Sequence, residues 1–316
     1  MFWLRLALGL LAAIGLLWLF APRERLRTDQ VPAAPADLHA WLAARDAGIR
    51  PELASVLQWA GPPGQVSDLS ILYVHGFSAS PAELRPLPEQ VARDLGANLL
   101  AIRLTGHGMD GADLAAATAQ DWWQDLALGL DAARRLGHRV VVIGMSTGGT
   151  LAALAARDPG LGPMIDGVVL ISPNFRLRAR NAWFLDMPFA RAMIRLAGDP
   201  ERCFATRNAL HHARWTSCYP LSATLSVGTL LRQARGNFHD AQMPALFIWS
   251  DNDRIVDHGA SAKVAAGWGG DATILKVAPG PQDDPDAHVI AGETLSPELS
   301  PQISSAIADW IRQVPR

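Results

Sequence analysis

Short apolar runs alternate with helix-like patterns along most of the chain. Six runs have the length and composition of buried strands, at residues 69–74, 98–102, 139–143, 167–171, 245–249 and 273–277. Patterns typical of helices lie between or after them, at 81–95, 118–136, 147–157, 259–267 and 301–313. Regular alternation of strand and helix is typical of a parallel sheet that is covered on both faces. The pattern therefore predicts an α/β fold with a mostly parallel central sheet.

The alternation is interrupted between Pro173 and Met243, where aromatic and arginine-rich helical patterns separate two predicted strands. An insertion after the carboxyl end of a parallel strand lies over the edge of the sheet where ligands bind. Residues 174–242 are therefore predicted to form an inserted cap. A purely structural extension is the alternative interpretation.

The start of the chain has a different pattern. Residues 6–22 contain no charged side chain and lie between Arg5 and a charged segment that includes Arg23 and Arg25. Such a length is at the lower limit for a membrane-spanning helix and also falls in the range of a signal peptide. Because no small-x-small cleavage motif follows, the sequence favours an uncleaved membrane anchor within residues 1–27.

The boundaries of the folded domain follow from this segment. The chain is polar and punctuated by prolines after the anchor, which predicts a linker at 28–36. A helix is expected to begin near Asp37, and residues 37–316 are predicted to form one domain that includes the cap. Positive charges flank the anchor on both sides, so the sequence leaves open which side of the membrane the domain faces.

Composition narrows the class of function. The 316 residues carry 28 basic and 30 acidic side chains, which gives a net charge of −2. A charge so nearly balanced provides no strong field to attract nucleic acid. Hydrophobic residues make up 49% of the chain, enough for a sizeable buried core. The composition argues against a nucleic-acid-binding protein and leaves the oligomeric state open.

The cysteines and histidines do not form a recognisable metal motif. Cys203 and Cys218 lack C-x-x-C spacing, and His211-His212 is an isolated pair. No metal and no cofactor are therefore predicted. The two cysteines could form a disulfide in an oxidising compartment, but two reduced thiols are the favoured interpretation.

A candidate nucleophile, Ser146, lies at the centre of the pentapeptide GMSTG at residues 144–148, between a predicted strand and a predicted helix. This context is that of a nucleophile elbow, in which glycines permit a tight turn that raises the serine hydroxyl above the sheet. The G-x-S-x-G pattern also arises by chance. Ser146 is therefore a convincing nucleophile only if the chain supplies its partners.

A serine nucleophile requires a base and an acid that orients the base. His288 is the proposed base, because it lies on a long turn near the end of the chain that could reach back over Ser146. Asp253 follows a predicted strand and would emerge at the same edge of the sheet. The order Ser146, Asp253, His288 is the one expected on this type of sheet. Asp251 and Asp257 remain alternatives for orienting the base.

Backbone amides are candidate donors to the oxyanion. The segment His75-Gly76-Phe77 directly follows a predicted strand, and its glycine would let the loop approach a substrate carbonyl. The amides of Phe77 and Thr147 are the proposed oxyanion donors. His75 is predicted to be a structural residue beneath the loop, and His107 is predicted to fix its own glycine-rich turn.

Four motifs together resemble a known superfamily. They are HGFS at 75–78, TGHG at 105–108, DWWQD at 121–125 and GMSTG at 144–148. These segments resemble the α/β-hydrolase superfamily and, within it, are similar to bacterial carboxylesterases and monoacylglycerol lipases. The likeness extends from about residue 70 to the end of the chain. It is strongest between residues 75 and 149.

The resemblance implies a set of roles. Ser146 would be the nucleophile and Asp253 and His288 its triad partners. Phe77 and Thr147 would supply the oxyanion amides, and a mobile cap would cover an acyl pocket. No cofactor is implied.

The leading hypothesis is a serine hydrolase that cleaves carboxylic esters through an acyl-enzyme, with monoacylglycerols or short- and medium-chain acyl esters as substrates. The apolar patterns in the cap and at the start of the chain favour an uncharged or lipid ester. An acyltransferase or a thioesterase could use the same triad. A non-catalytic binding protein on the same fold is a further alternative.

Overall fold

The computed structural model describes residues 2–20, 24, 26–28 and 32–315 of the chain. The strands of this part are β1 (Val56–Gln58), β2 (Ser67–Val74), β3 (Asn98–Ile102), β4 (Gly137–Met145), β5 (Gly167–Ile171), β6 (Glu201–Cys203), β7 (Cys218–Pro220), β8 (Ala245–Trp249) and β9 (Ala272–Lys276). Its helices are α1 (Phe2–Phe20), α2 (Leu38–Arg45), α3 (Leu87–Leu95), α4 (Gly111–Ala116), α5 (Ala119–Leu136), α6 (Thr147–Ala156), α7 (Ala190–Leu196), α8 (Ala209–Arg214), α9 (Thr224–Gln233), α10 (His258–Ala266) and α11 (Ser300–Gln313).

Within these residues, seven strands form the central sheet in the order β1-β3-β2-β4-β5-β8-β9. All neighbouring pairs are parallel except β1 and β3, which are antiparallel. The predicted α/β fold with a mostly parallel sheet is confirmed. The sequence analysis missed β1, because a strand of three half-buried residues has no clear periodicity.

The two faces of the sheet are covered by different helices. Strand β2 shows the division, because Leu72 belongs to the apolar cluster that includes α5, α6 and α9, whereas Ile71 belongs to the cluster that includes α3 and α11. Successive side chains of a strand point to opposite faces, so one buried strand can serve both layers. Burial on both faces explains why the strands appear in the sequence as continuous apolar runs.

The cap segment, residues 174–242, lies between β5 and β8 and contains α7, α8, α9 and the antiparallel pair β6–β7. Cys203 and Cys218 face each other on that pair and form a disulfide. The favoured expectation of two reduced thiols is therefore wrong. Two short strands bring the thiols opposite each other, and this pairing cannot be deduced from their spacing in the sequence.

The start of the chain forms the 19-residue helix α1. Of the helices in the residues that the structure describes, none is long and apolar enough to cross a membrane. The membrane anchor predicted at 1–27 stays a prediction. Residues 21–23, 25 and 29–31, which include part of the predicted linker 28–36, lie outside the described residues.

The described residues between α1 and α2 run against the domain as a strap, which we define as Glu24, residues 26–28 and residues 32–36. Leu26 packs on the core, and Arg27 exchanges backbone hydrogen bonds with the Gln120 side chain. The Ala34 N–H donates to Asp131 on α5 at 2.9 Å. This part of the chain is therefore attached to α5 and to the core.

Candidate active site

Ser146 stands on a sharp turn between β4 and α6, with φ 51° and ψ −112°. A positive φ is strained for a residue with a side chain and is common at functional sites. The flanking glycines make the turn possible. A Cβ on Gly148 would lie 2.1 Å from the Val74 carbonyl oxygen, and one on Gly144 would lie 2.6 Å from the Gly148 carbonyl oxygen. The pentapeptide therefore requires glycine at both positions for steric reasons.

The structure brings Ser146, His288 and Asp253 into direct contact. The Ser146 hydroxyl can donate to His288 Nε2, with Oγ and Nε2 2.9 Å apart. On the other side of the ring, His288 Nδ1 lies 2.8 Å from Asp253 Oδ2. All three side chains are buried, and Asp253 is fully inaccessible. The arrangement can transfer a proton from the hydroxyl to the imidazole and stabilise the resulting cation.

The Asp253 carboxylate is fixed by its own loop. Its Oδ1 accepts the backbone N–H groups of Ile255 and Val256, each at 2.8 Å. The two alternatives for orienting the base have other partners. Asp251 pairs with Lys276, and Asp257 caps the first turn of α10.

His288 is held by a residue that the sequence analysis missed. The Asp284 Oδ2 atom accepts the backbone N–H groups of His288 at 3.1 Å and of Val289 at 3.0 Å. Burial alone would lower the pKa of His288, but the charge and the hydrogen bond of Asp253, with the charges of Asp284 and Glu83, raise it above 6.5. The acidic run at 283–286 was the available signal, because such residues often bind nearby backbone N–H groups.

The Phe77 and Thr147 amides are available to a ligand. Neither N–H donates a hydrogen bond within the part of the chain that the structure describes. Both residues, together with Ser146 and His288, line the same cavity. Because Thr147 opens α6, its N–H also lies at the positive end of that helix. The two amides could therefore stabilise negative charge on a bound carbonyl oxygen.

The loop that carries Phe77 is fixed by His75. The Leu104 N–H donates to His75 Nε2 at 3.1 Å, so that nitrogen must carry a lone pair. The proton is then on Nδ1, which donates to the Gly76 carbonyl at 2.8 Å. Burial lowers the pKa of His75 well below 6.5. This neutral histidine thus has the structural position expected from the sequence.

Glu83 supports the same loop and was also missed. Its Oε2 atom accepts the Gly76 N–H at 2.7 Å and the Tyr73 hydroxyl at 3.1 Å. A Cβ on Gly76 would lie 2.8 Å from Glu83 Oε1 and 3.4 Å from Ser146 Cβ, so the carboxyl group packs closely beneath the turn. Burial raises the pKa of Glu83 to about 7. No periodic pattern or motif in the sequence indicates this residue.

His107 does not contact the triad. Its backbone carbonyl accepts from the Arg103 guanidinium at 2.9 Å, and its Nδ1 lies 3.2 Å from the Thr105 carbonyl. Burial lowers the pKa of His107 to about 4, so the ring is neutral at pH 7. Its contacts agree with the predicted loop-fixing position.

Ser146 opens into a cavity of about 710 Å³ whose outer wall belongs to the cap segment. Most of the lining side chains are apolar. They include Phe77, Trp183, Phe184, Leu185, Phe204, Leu221 and Val227. The acidic lining residues are Asp284 and Asp286, and Asp286 is paired with Arg207 at 2.7 Å. The cavity therefore suits an apolar ligand.

One cluster in the described residues could be mistaken for a metal site. Glu201, Cys203 and Cys218 place their ligand atoms within 4.8 Å of one another. Both sulfur atoms belong to the disulfide, so neither is available as the thiolate that binds a metal. This donor set does not fit a structural or catalytic metal.

Comparison with known proteins agrees with the fold. Residues 66–281 match the sequence profile of the family described as serine aminopeptidase, S33. A thermostable monoacylglycerol lipase from Bacillus sp. (strain H-257) is 27% identical over 194 residues, which cover 60% of this chain and 73% of that protein.

Solved structures show the same fold. A structure from a study of LipS and LipT, two metagenome-derived lipolytic enzymes, aligns with a TM-score of 0.66 and 22% identity, over 84% of this chain and 99% of its own. A soluble variant of monoglyceride lipase from Saccharomyces cerevisiae, bound to a substrate analogue, aligns with a TM-score of 0.62 and 12% identity, over 83% of this chain and 92% of its own. At such identities the similarity establishes the fold.

Proposed function

The chain belongs to the serine aminopeptidase S33 family of α/β hydrolases, and from this membership we propose that it is a serine hydrolase that cleaves carboxylic esters through an acyl-enzyme. The observation that carries the proposal is the contact of Ser146, His288 and Asp253 at the floor of an apolar cavity. A buried serine on a strained turn is unusual as a purely structural element.

In the proposed acylation step, His288 Nε2 accepts the proton of the Ser146 hydroxyl while Oγ attacks the ester carbonyl. Asp253 holds the imidazole in the required orientation and stabilises the imidazolium. The tetrahedral intermediate then collapses. The alcohol leaves with the proton from His288, and the acyl group stays on Ser146.

The amides of Phe77 and Thr147 are proposed to stabilise the oxyanion of that intermediate. Their free N–H groups support this role, and so does the firm attachment of the Phe77 loop through His75 and Glu83. Donors that are fixed before the reaction stabilise the transition state without reorganisation, and one such donor contributes about 3 kcal/mol.

In the deacylation step, water replaces the alcohol. His288 takes a proton from the water, whose oxygen attacks the acyl carbon, and then returns the proton to Ser146 Oγ as the bond to serine breaks. The products are a carboxylic acid and the free enzyme. A thiol ester would follow the same steps, and another alcohol in place of water would give acyl transfer.

The substrates we propose are uncharged acyl esters, either monoacylglycerols or short- and medium-chain esters. The apolar lining supports them, as does the relation to a monoacylglycerol lipase. The family description raises an aminopeptidase as a second candidate. That activity requires an acidic group for the substrate ammonium, but of the acidic lining residues, Asp284 binds backbone amides and Asp286 binds Arg207. These contacts favour the ester.

We also propose that the enzyme works at a membrane surface, with its domain in an oxidising compartment. The apolar side chains of α1 support the first part, and the Cys203–Cys218 disulfide supports the second, since disulfides persist mainly outside reducing cytosol. Cell fractionation with thiol labelling tests both. Recovery of the protein in the soluble fraction with two free thiols would contradict them.

The activity is tested by hydrolysis of p-nitrophenyl esters from acetate to palmitate, with the full-length protein and its Ser146→Ala variant. We expect turnover with an optimum chain length in the first and none in the second, and labelling of Ser146 by a fluorophosphonate. Equal turnover by both proteins would overturn the proposal. No turnover of any ester despite labelling of Ser146 would favour the acyltransferase alternative.

A further inference from the structure

A second cavity, of about 590 Å³, shares no lining residue with the cavity at Ser146. It is formed where the strap crosses the start of α5 and the outer side of α7. Its lining side chains are all polar: Glu24, Arg27, Thr118, Gln120, Gln124, Arg191 and Arg195. We call it the arginine cavity. Nothing in the proposed hydrolysis uses it.

The charges around the arginine cavity favour an anion. Three guanidinium groups face one carboxylate, which leaves two positive charges in excess. Glu24 is 3.6 Å from Arg191, and its backbone carbonyl accepts from Arg232 at 2.6 Å. Within the described part of the chain, Arg27 and Arg195 form no ion pair. Arginine is well suited to phosphate because its planar group can donate two parallel hydrogen bonds.

An exposed apolar surface adjoins this cavity. On α7, Met193 is 44% and Leu196 89% exposed, whereas Ile194 is buried against the rest of the cap. Arg191 and Arg195 lie one turn apart on this short helix, whereas Leu196 and Met193 lie further around it. A helix with arginines on one face and exposed apolar residues on another is typical of surfaces that lie on a lipid bilayer.

The helix α1 ends at Phe20, and Glu24 of the arginine cavity follows shortly after it in the sequence. Its exposed apolar residues include Leu6, Leu8, Leu10, Leu16 and Phe20. Leu6, Leu10, Leu16 and Phe20 share one face of the helix and Leu8 lies outside it, so α1 has an exposed apolar face, which normally lies in an apolar environment.

We propose that the arginine cavity binds the phosphate headgroup of an anionic phospholipid, and that the cap and α1 rest together on the lipid surface. A second copy of the chain could cover the apolar residues of α1 and α7, but such apolar contacts would not neutralise the excess positive charge of the arginine cavity. The charge therefore favours an anionic lipid over a second copy. The binding extends the surface association proposed above, and it does not require hydrolysis.

The binding would also orient the active site. The segment Ala182–Asp186 carries Trp183 and Phe184, which line the cavity above Ser146, and it packs against α7. A lipid surface held against α7 would therefore lie next to the wall of the substrate cavity. A lipid ester could then enter the site without passing through bulk water.

The test is binding of the full-length Ser146→Ala protein to vesicles of phosphatidylcholine, alone or mixed with phosphatidylglycerol, measured by co-sedimentation. Ser146→Ala prevents any change of the lipid, so the result is independent of the proposed esterase activity. We expect tighter binding to the mixed vesicles. Adding Arg191→Gln and Arg195→Gln should weaken that binding about thirtyfold, or about fivefold for each arginine near an anionic surface.

A matched control removes the same charge elsewhere. Arg93 and Arg312 are exposed on α3 and α11, which cover the opposite face of the sheet. Arg93→Gln with Arg312→Gln should leave vesicle binding unchanged, whereas Met193→Ser with Leu196→Ser should weaken binding to both vesicle types. Equal loss from both arginine pairs, equal binding to both vesicle types, or no binding to either would overturn the proposal. A dimer that light scattering detects for the wild-type protein but not for Met193→Ser with Leu196→Ser would also overturn it.

Discussion

The turn around Ser146 and the cap above it are built in opposite ways. Around Ser146 the backbone segments touch so closely that even a methyl group on Gly148 would collide with Val74. The cap contains short helices and ion pairs of Arg232 and Arg235 with Asp186, and it leaves Trp183 65% and Leu196 89% exposed. In the proposed reaction, rigid backbone packing positions the reacting atoms, whereas the more open cap surface selects the substrates that reach them.

The largest effect is expected when the negative charge of Asp253 next to the proposed base, His288, is removed. Asp253→Asn should lower kcat about 10⁴-fold, because the amide favours the wrong tautomer of His288. Asp257→Asn is the matched control and should retain activity, since asparagine also caps a helix well. Steady-state kinetics on a short ester measure both. A comparable loss of kcat in Asp257→Asn would contradict the assignment of Asp253 as the residue that orients His288.

The next prediction breaks the tight packing itself. Gly148→Ala should destabilise the protein by more than about 4 kcal/mol, because the new methyl group would lie 2.1 Å from the Val74 carbonyl oxygen and 2.6 Å from the His75 carbonyl oxygen. Chemical denaturation measures the change. Gly267→Ala is the control. Its new Cβ would lie 3.5 Å from the nearest atom, so this substitution should change the free energy of unfolding little. Equal stability of both variants would contradict the steric argument.

The third prediction concerns Glu83 beneath the turn. Its pKa is raised by burial from 4.5 to about 7, so between these pH values the folded protein keeps a proton that the unfolded chain has lost. The stability contributed by this group is therefore present below pH 4.5 and disappears as the pH rises through 7. Glu83→Gln keeps an acceptor for Gly76 without this titration.

The difference in unfolding free energy between Glu83→Gln and the wild type isolates the pH-dependent contribution of Glu83. Relative to the wild-type protein, Glu83→Gln should gain about 3 kcal/mol of unfolding free energy as the pH rises from 4.5 to above 7. His75 and His107, whose pKa values burial lowers, have the opposite dependence but are present in both proteins. Denaturation at several pH values provides the measurement. A difference that does not vary with pH would show that Glu83 stays ionised.

The smallest effect is expected in the cap. Trp183→Ala should reduce kcat/KM for the longest accepted ester about fivefold, because a partly exposed side chain contributes about 1 kcal/mol to acyl binding. Hydrolysis of the acetate and the melting temperature should not change. An equal loss of kcat/KM on all esters would mean that Trp183 supports the reaction itself rather than acyl binding. It would contradict the contrast between the turn around Ser146 and the cap.

The sequence predicted the rigid part better than the adaptable part. Strands such as Asn98–Ile102 and Ala245–Trp249 lie at the predicted residues, because burial on both faces leaves an apolar run that is visible in any sequence. Helix α3 begins six residues later than predicted. Pro86 directly precedes α3, and a proline disfavours helical geometry at the residue before it.

The supporting contacts could not be predicted. Glu83 and Asp284 act through backbone N–H groups, and a carboxylate that binds backbone leaves no periodic pattern in the sequence. The pairing of Cys203 with Cys218 depends on the register of two short strands. The likeness to α/β hydrolases supported Ser146 and its candidate partners and implied a cap over an acyl pocket, but it did not predict the helices and strands of that cap.

The contacts of the strap determine where the chain can be shortened for crystallisation. The sequence suggests removing residues 1–27 as a unit. This truncation would also remove the packing of Leu26 on the core and the hydrogen bonds between the Arg27 backbone and the Gln120 side chain. It would leave Arg232 without the Glu24 carbonyl. A shortened protein should therefore begin between Phe20 and Glu24, which removes the apolar helix and keeps the residues that cover the core.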